Sequence, residues 1–342
     1  MGYSGISIQS QGQGGSGSAT FLDIPFLRNS GIETLGVQIK PTQRRKFSNN
    51  TISWQQALDD ELNWALAIIQ ACNNPILRQI KVIIRFNDLS PTGIPNTIEM
   101  NTEDWWNSND AQNLALEYWR QVCQKFYGQD IFMFEILSEP ISIDSSGTAN
   151  TPDRTILGDF YQKALNIVRS YNSNAYFLLS PGPYGRFVDY TNGQFSPFTI
   201  YDSAPRHLLM YGFHMYEQHK YTHQGINQTF RPEFYSSTTG YGLNMINDFI
   251  SISAWSQQYG YPIYMGEFNA VRYSPNALDW VRDVITYAKQ FDFHWSFFAY
   301  KPNYELWDPF YDVQNPSAPV VNWQVGYVGK ATSLWQYLVT QF

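Results

Sequence analysis

The stretch Ile131-Phe132-Met133-Phe134-Glu135-Ile136-Leu137-Ser138-Glu139-Pro140 decides how the chain is read. Its β-branched and aromatic side chains, its lack of glycine and its closing proline predict one buried strand. Two carboxylates interrupt it. Side chains alternate along a strand, so Glu135, Leu137 and Glu139 share a face, and Glu139 sits where the strand gives way to a loop. A carboxylate at the C-terminal end of a buried strand is placed for chemistry.

Working outward, the same kind of apolar run recurs along the chain. Strands are predicted at Ser4 to Gln9, Thr34 to Ile39, Ile80 to Phe86, Ala175 to Ser180, Leu208 to Tyr216, Tyr261 to Ala270 and Phe293 to Tyr300. Helical patterns lie between them. Ser53 can cap the run Trp54 to Cys72, where Leu58, Leu62, Ala65 and Ile69 recur at helical spacing. Further helices are predicted at Phe21 to Asn29, from Asp110 as cap to Tyr127, and at Pro152 to Tyr171. Asn244 to Tyr259, Pro275 to Gln290 and Ala331 to Gln341 complete the set. Strand and helix in alternation imply a parallel sheet with helices outside. The stretch Asp88 to Asn109 is expected to be a long loop carrying Trp105 and Trp106, either of which could be a ligand-stacking platform or a packing anchor.

The second strand-end glutamate is Glu267, in Tyr261-Pro262-Ile263-Tyr264-Met265-Gly266-Glu267-Phe268-Asn269-Ala270. Two such carboxylates on one scaffold are what retaining glycoside hydrolysis requires, one as general acid/base and one as nucleophile. At these residues the chain resembles glycoside hydrolase family 5, a cellulase-like family of clan A whose members are (β/α)8 TIM barrels. In that family the fourth strand ends in Asn-Glu-Pro with the acid/base, and the seventh ends in Gly-Glu-Phe with the nucleophile. The sixth carries a His-x-Tyr pair, matched by His214 and Tyr216, and Tyr221 to Gly225 is similar to the Phe-Thr-His-Gln-Gly that follows it. The resemblance spans nearly the whole chain in strand order. It implies one barrel domain over residues 1 to 342, with long loops at the C-terminal face, Glu139 and Glu267 as the catalytic pair, and Tyr216 and His214 beside them.

Four family positions depart from the pattern. Gly36 stands where strand two carries an Arg that bonds the nucleophile, and Asn87 where strand three ends in His. Ser138 replaces the Asn before the acid/base, and Phe298 replaces the Trp of strand eight. Ser138 and Asn87 keep hydrogen-bonding capacity and Phe298 keeps a stacking face. These three, with Trp105, Trp106 and Trp307, are the candidate substrate-binding residues. The missing positive charge is expected from Arg85 or Lys40; alternatively Arg85 pairs with Glu135 on the adjacent strand, because a buried charge needs a partner.

Composition sets the outer bounds. The 342 residues are 43% hydrophobic, enough for a large core, and no long uncharged apolar run suggests a membrane span. A net charge of −7 disfavours polyanion partners such as nucleic acid. Aromatic residues make up 17% of the chain, more than a core needs, which suits a carbohydrate partner. No Cys/His cluster has zinc spacing, and neither a metal nor a cofactor is expected. A disulfide between Cys72 and Cys123 is possible if their helices are neighbours. Met1-Gly2-Tyr3 lacks the character of a secretory leader, whereas a polymer substrate favours secretion. The resemblance implies a β-linked polysaccharide, cleaved internally, with a β-1,4-glucan first and mannan, xylan or β-1,3-glucan as alternatives. A sugar-binding barrel with weakened turnover and a transglycosylase are the other readings, and a monomer is expected.

Overall fold

The computed structural model describes residues 2–9, 19–86, 98–191, 195–204, 208–224, 233–271, 274–300, 309, 311–312, 326–327 and 333–342. Eight strands close into a parallel barrel: β1 (Ser4–Gln9), β2 (Thr34–Ile39), β3 (Lys81–Phe86), β4 (Met133–Glu135), β5 (Tyr176–Leu179), β6 (Leu209–Met215), β7 (Ile263–Phe268) and β8 (His294–Tyr300). Each pairs with its neighbours in sequence, and β1 closes on β8. Such a sheet is covered by helices outside and by side chains inside, so its strands are buried on both faces, as the fully buried Thr34–Ile39 illustrates.

The main helices follow the predicted pattern. They are α1 (Ile24–Asn29), α3 (Trp54–Cys72), α5 (Asn109–Lys125), α6 (Arg154–Tyr171), α9 (Gly240–Tyr259), α10 (Ala277–Gln290) and α11 (Ser333–Gln341). Ser53 Oγ accepts the amide of Gln56 at 3.0 Å and caps α3 as expected. Ser108, not Asp110, caps α5, through the amide of Ala111 at 3.2 Å. Four short helices escape the sequence reading: α2 (Pro41–Phe47), α4 (Glu103–Asn107), α7 (Val188–Thr191) and α8 (His219–Thr222). They are too short to show a period.

Helix α4 corrects the expected loop and the expected role of its tryptophans. Thr102 caps it, and Trp105 and Trp106 are 0% and 3% exposed. Their rings lie edge-on to Phe160 of α6, at 5.5 and 6.4 Å, and Trp106 Nε1 donates to the Ile141 carbonyl at 2.6 Å. With no open face they are packing anchors and not sugar platforms. Trp105→Ala is therefore expected to lower stability by about 3–5 kcal/mol in urea unfolding, the cost of emptying a core aromatic site. A sugar platform would instead show a raised KM with stability kept. Cys72 and Cys123 are both buried and unpaired, so the possible bridge is not formed.

Inside the barrel, the floor is apolar: Ile83, Met133, Leu178, Met210 and Tyr264 form one cluster. Two residues further along the same strands the lining turns polar, with Arg85 on β3 and Glu135 on β4, paired side by side in register. This layer carries the site.

Candidate active site

Glu267 is brought inward by an irregularity. Strict alternation from Tyr264 would turn Gly266 and Phe268 inward and Glu267 out. The pairing of β6 with β7 slips, however: Phe213 faces Met265 and His214 faces Glu267, so Gly266 is the extra residue. A Cβ on Gly266 would lie 3.1 Å from both Arg85 Nη2 and His214 Nε2, so glycine leaves those two side chains their space.

Four neighbours hold the Glu267 carboxylate. Gln38 Nε2 and Arg85 Nη1 donate to Oε1 at 3.2 and 3.1 Å, Tyr216 OH donates to Oε2 at 3.1 Å, and His214 Nδ1 lies 3.8 Å from Oε2. Glu139, on the loop after β4, meets His214 Nδ1 at 2.7 Å, and its side chain is 40% exposed. One oxygen of Glu139 and one of Glu267 come within 4.8 Å of each other. Both glutamates line a cavity of about 320 Å³, together with Gln38, Lys40, Ser138, Phe298 and Tyr184.

The missing strand-two charge comes from β3. Arg85 is fully buried and engages both proposed partners: Nε lies 2.5 Å from Glu135 Oε2 and Nη1 3.1 Å from Glu267 Oε1. It also donates to Ser7 Oγ, the Tyr264 hydroxyl and the Gly266 carbonyl. Gly36 makes room for it, since a Cβ there would lie 2.9 Å from Ser7 Oγ and 3.4 Å from Arg85 Nε. Lys40 lines the cavity wall.

Electrostatics follow from this crowding. Burial opposes the charge of Arg85, but Glu135, Tyr264 and Glu267 hold its pKa above the ordinary arginine value. Burial also opposes that of His214, yet Glu267, Glu135 and Glu139 raise it to about 10, so it stands as an imidazolium. Burial pushes the Glu267 carboxyl up; His214 and Arg85 pull against it, Glu139 and Glu135 add to the rise, and the balance is upward. Glu139, His214 and Glu267 present donor atoms close together. His214 Nδ1 stands 2.7 Å from Glu139 and 3.8 Å from Glu267, so a proton can be shared among the three and the trio is suited to acid–base work.

The chain matches the family described as Cellulase (glycosyl hydrolase family 5) over residues 24–304. It belongs to glycosyl hydrolase family 5. As a member it is a glycoside hydrolase. Similar solved structures include a hyperthermophilic endo-β-1,4-glucanase in complex with substrate, 18% identical at a TM-score of 0.66, covering 98% of this chain and 96% of that one. Thermotoga maritima Cel5A in complex with mannotriose is 16% identical at 0.63, covering 90% and 92%. The cellulose synthase subunit Z of Clostridioides difficile is 15% identical at 0.61, covering 91% and 94%. A search of curated protein sequences gives no match.

Of the positions at which this chain departs from the family pattern, Ser138 Oγ approaches His214 Nε2 at 3.5 Å and the half-buried Phe298 lines the cavity, its carbonyl taking Asn269 Nδ2 at 2.5 Å. Asn87 and Trp307 lie outside the described residues. Sequence reading missed Gln38, although it shares the inward face of β2 with Gly36. Tyr184, Met100 and Asn101 also line the cavity from loops, where no periodicity marks them.

Proposed function

We propose that this family 5 enzyme cleaves internal β-1,4 bonds of a glucan with retention of configuration. The observation that supports retention is the approach of Glu139 and Glu267 oxygens to within 4.8 Å. Retaining pairs stand about 5–5.5 Å apart, whereas inverting pairs need about 6.5–9.5 Å to admit a water. In the first step Glu267 attacks the anomeric carbon, the glycosidic C–O bond breaks, and the Glu139 proton passes to the leaving oxygen. In the second, Glu139 takes a proton from water, whose oxygen displaces Glu267. Arg85, Gln38 and Tyr216 keep the attacking carboxylate in one orientation, so little motion precedes attack.

The glucan preference is supported by the endoglucanases among the similar structures, and the mannotriose complex of T. maritima Cel5A supports mannan as the second substrate. Reducing-sugar release from cellulose derivatives, mixed-linkage glucan, mannan and xylan tests the substrate. A 2-fluoro glycoside tests the mechanism: the intact protein is expected to gain one sugar mass on Glu267. Release without any trapped ester would count against retention, and silence on every polymer would shift weight to a sugar-binding barrel.

A further inference from the structure

Glu135 takes no part in either chemical step, yet it lies fully buried under the reacting pair. Its oxygens face the two cations that also hold the catalytic carboxylates. Oε2 lies 2.5 Å from Arg85 Nε, and Oε1 lies 3.8 Å from His214 Nε2. The far ends of the same cations reach the catalytic pair, Arg85 Nη1 to Glu267 and His214 Nδ1 to Glu139. Three carboxylates and two cations therefore form one connected network.

Fully ionised, that network carries a surplus negative charge, which a low-dielectric interior penalises. One bound proton removes it. Glu135 is poorly placed to take that proton: burial pushes its carboxyl up, but Arg85 and His214 outweigh this and hold it below the ordinary range. The geometry assigns Glu135 as a positioning residue that sets the proton count of the site. By occupying both cations from below, it obliges the Glu139–Glu267 pair to hold the one proton that the first step delivers to the leaving oxygen. This rests on the retaining reading above.

Among the described residues, the other ionisable groups facing the network leave the count intact. Burial raises the phenols of Tyr161 from α6, Tyr264 from β7 and Tyr216 after β6, which stay neutral. Burial and Arg186 lower the pKa of His219, which stays neutral. The contacts that tie Glu135 to the catalytic pair run through Arg85 and His214, and Lys40 stands half-buried at the cavity wall beside the pair.

Glu135→Gln removes the charge and keeps the shape, so that two carboxylates face two cations and no proton is required. With kcat/KM followed from acid to mildly alkaline pH on the polymer that the wild type cleaves, the alkaline limb is expected to move to lower pH by about one to two units. Activity should return in acid. A limb that stays in place while the rate falls at every pH overturns the proposal and leaves Glu135 as a prop for Arg85. Where Glu135→Gln does not fold, the double variant Arg85→Met/Glu135→Gln removes one charge of each sign and restores the need for a proton. Its limb is then expected at the wild-type position despite a low rate, and an acid-shifted limb there overturns the proposal equally. Failure of the retaining reading is a separate result, read as the absence of a trapped ester in the wild type.

Discussion

Replacing Glu267 by Ala is expected to lower kcat on polymer by on the order of a thousandfold or more, because among the described residues Glu139 and Glu267 are the only carboxylates lining the cavity. The fold should survive, since Arg85 keeps Glu135 as its counter-charge at 2.5 Å. Truncation also opens a space beside Gln38, Arg85 and Tyr216, the three donors that held the carboxylate. A small anion such as azide can enter there. It would attack the anomeric carbon once, with Glu139 still supplying the proton, and give a glycosyl azide of inverted configuration detectable by NMR. Glu139→Ala should behave differently, losing polymer cleavage while still releasing an activated phenol, which leaves without a proton. Equal sugar release by wild type and Glu267→Ala would remove Glu267 from the role of nucleophile.

Arg85→Met should damage both stability and turnover. The guanidinium touches Glu135 and Glu267 at once, so its removal strands a fully buried carboxylate and loosens a reacting one. Breaking a buried ion pair from one side costs about 3–5 kcal/mol, which urea unfolding will report. Losing a preorganised donor to the nucleophile costs about a hundredfold or more in kcat. Turnover lost at unchanged stability would mean that Glu135 is satisfied without Arg85, and stability lost at unchanged kcat would mean that the contact with Glu267 is incidental. Adding Glu135→Gln should recover much of the stability and little of the rate, because it removes the stranded charge and not the missing donor.

Why some of these residues were legible from the sequence and others were not has a physical basis. Glu139 is readable because a buried apolar run that ends in a carboxylate and a proline has few alternatives. Arg85 is readable only as a pair of options, Glu135 or Glu267, since a strand pattern gives the face of a side chain and not its reach. Both options hold because a long planar fork can meet one carboxylate through Nε and another through Nη1. Trp105 and Trp106 were misplaced because helix α4 has too few residues to show a 3.6-residue period, and its capping Thr102 carries no weight without one. Gln38 went unnoticed because a neutral amide in a barrel lining has no signal until the nucleophile is known to lie opposite.

The sequence by itself determined the order of strands and helices, the parallel closed sheet, and the two strand ends that carry the glutamates. Local periodicity and capping are properties of short segments, and short segments are what a sequence displays. The tertiary structure alone decided which face Glu267 takes, through the slip at Gly266. It decided that Gly36 and Arg85 on neighbouring strands trade space for charge. It also gathered Glu135, Arg85, His214, Glu139 and Glu267 into one network. These depend on distances across the barrel between residues up to 182 positions apart, as for Arg85 and Glu267, and such distances are set only when the sheet closes.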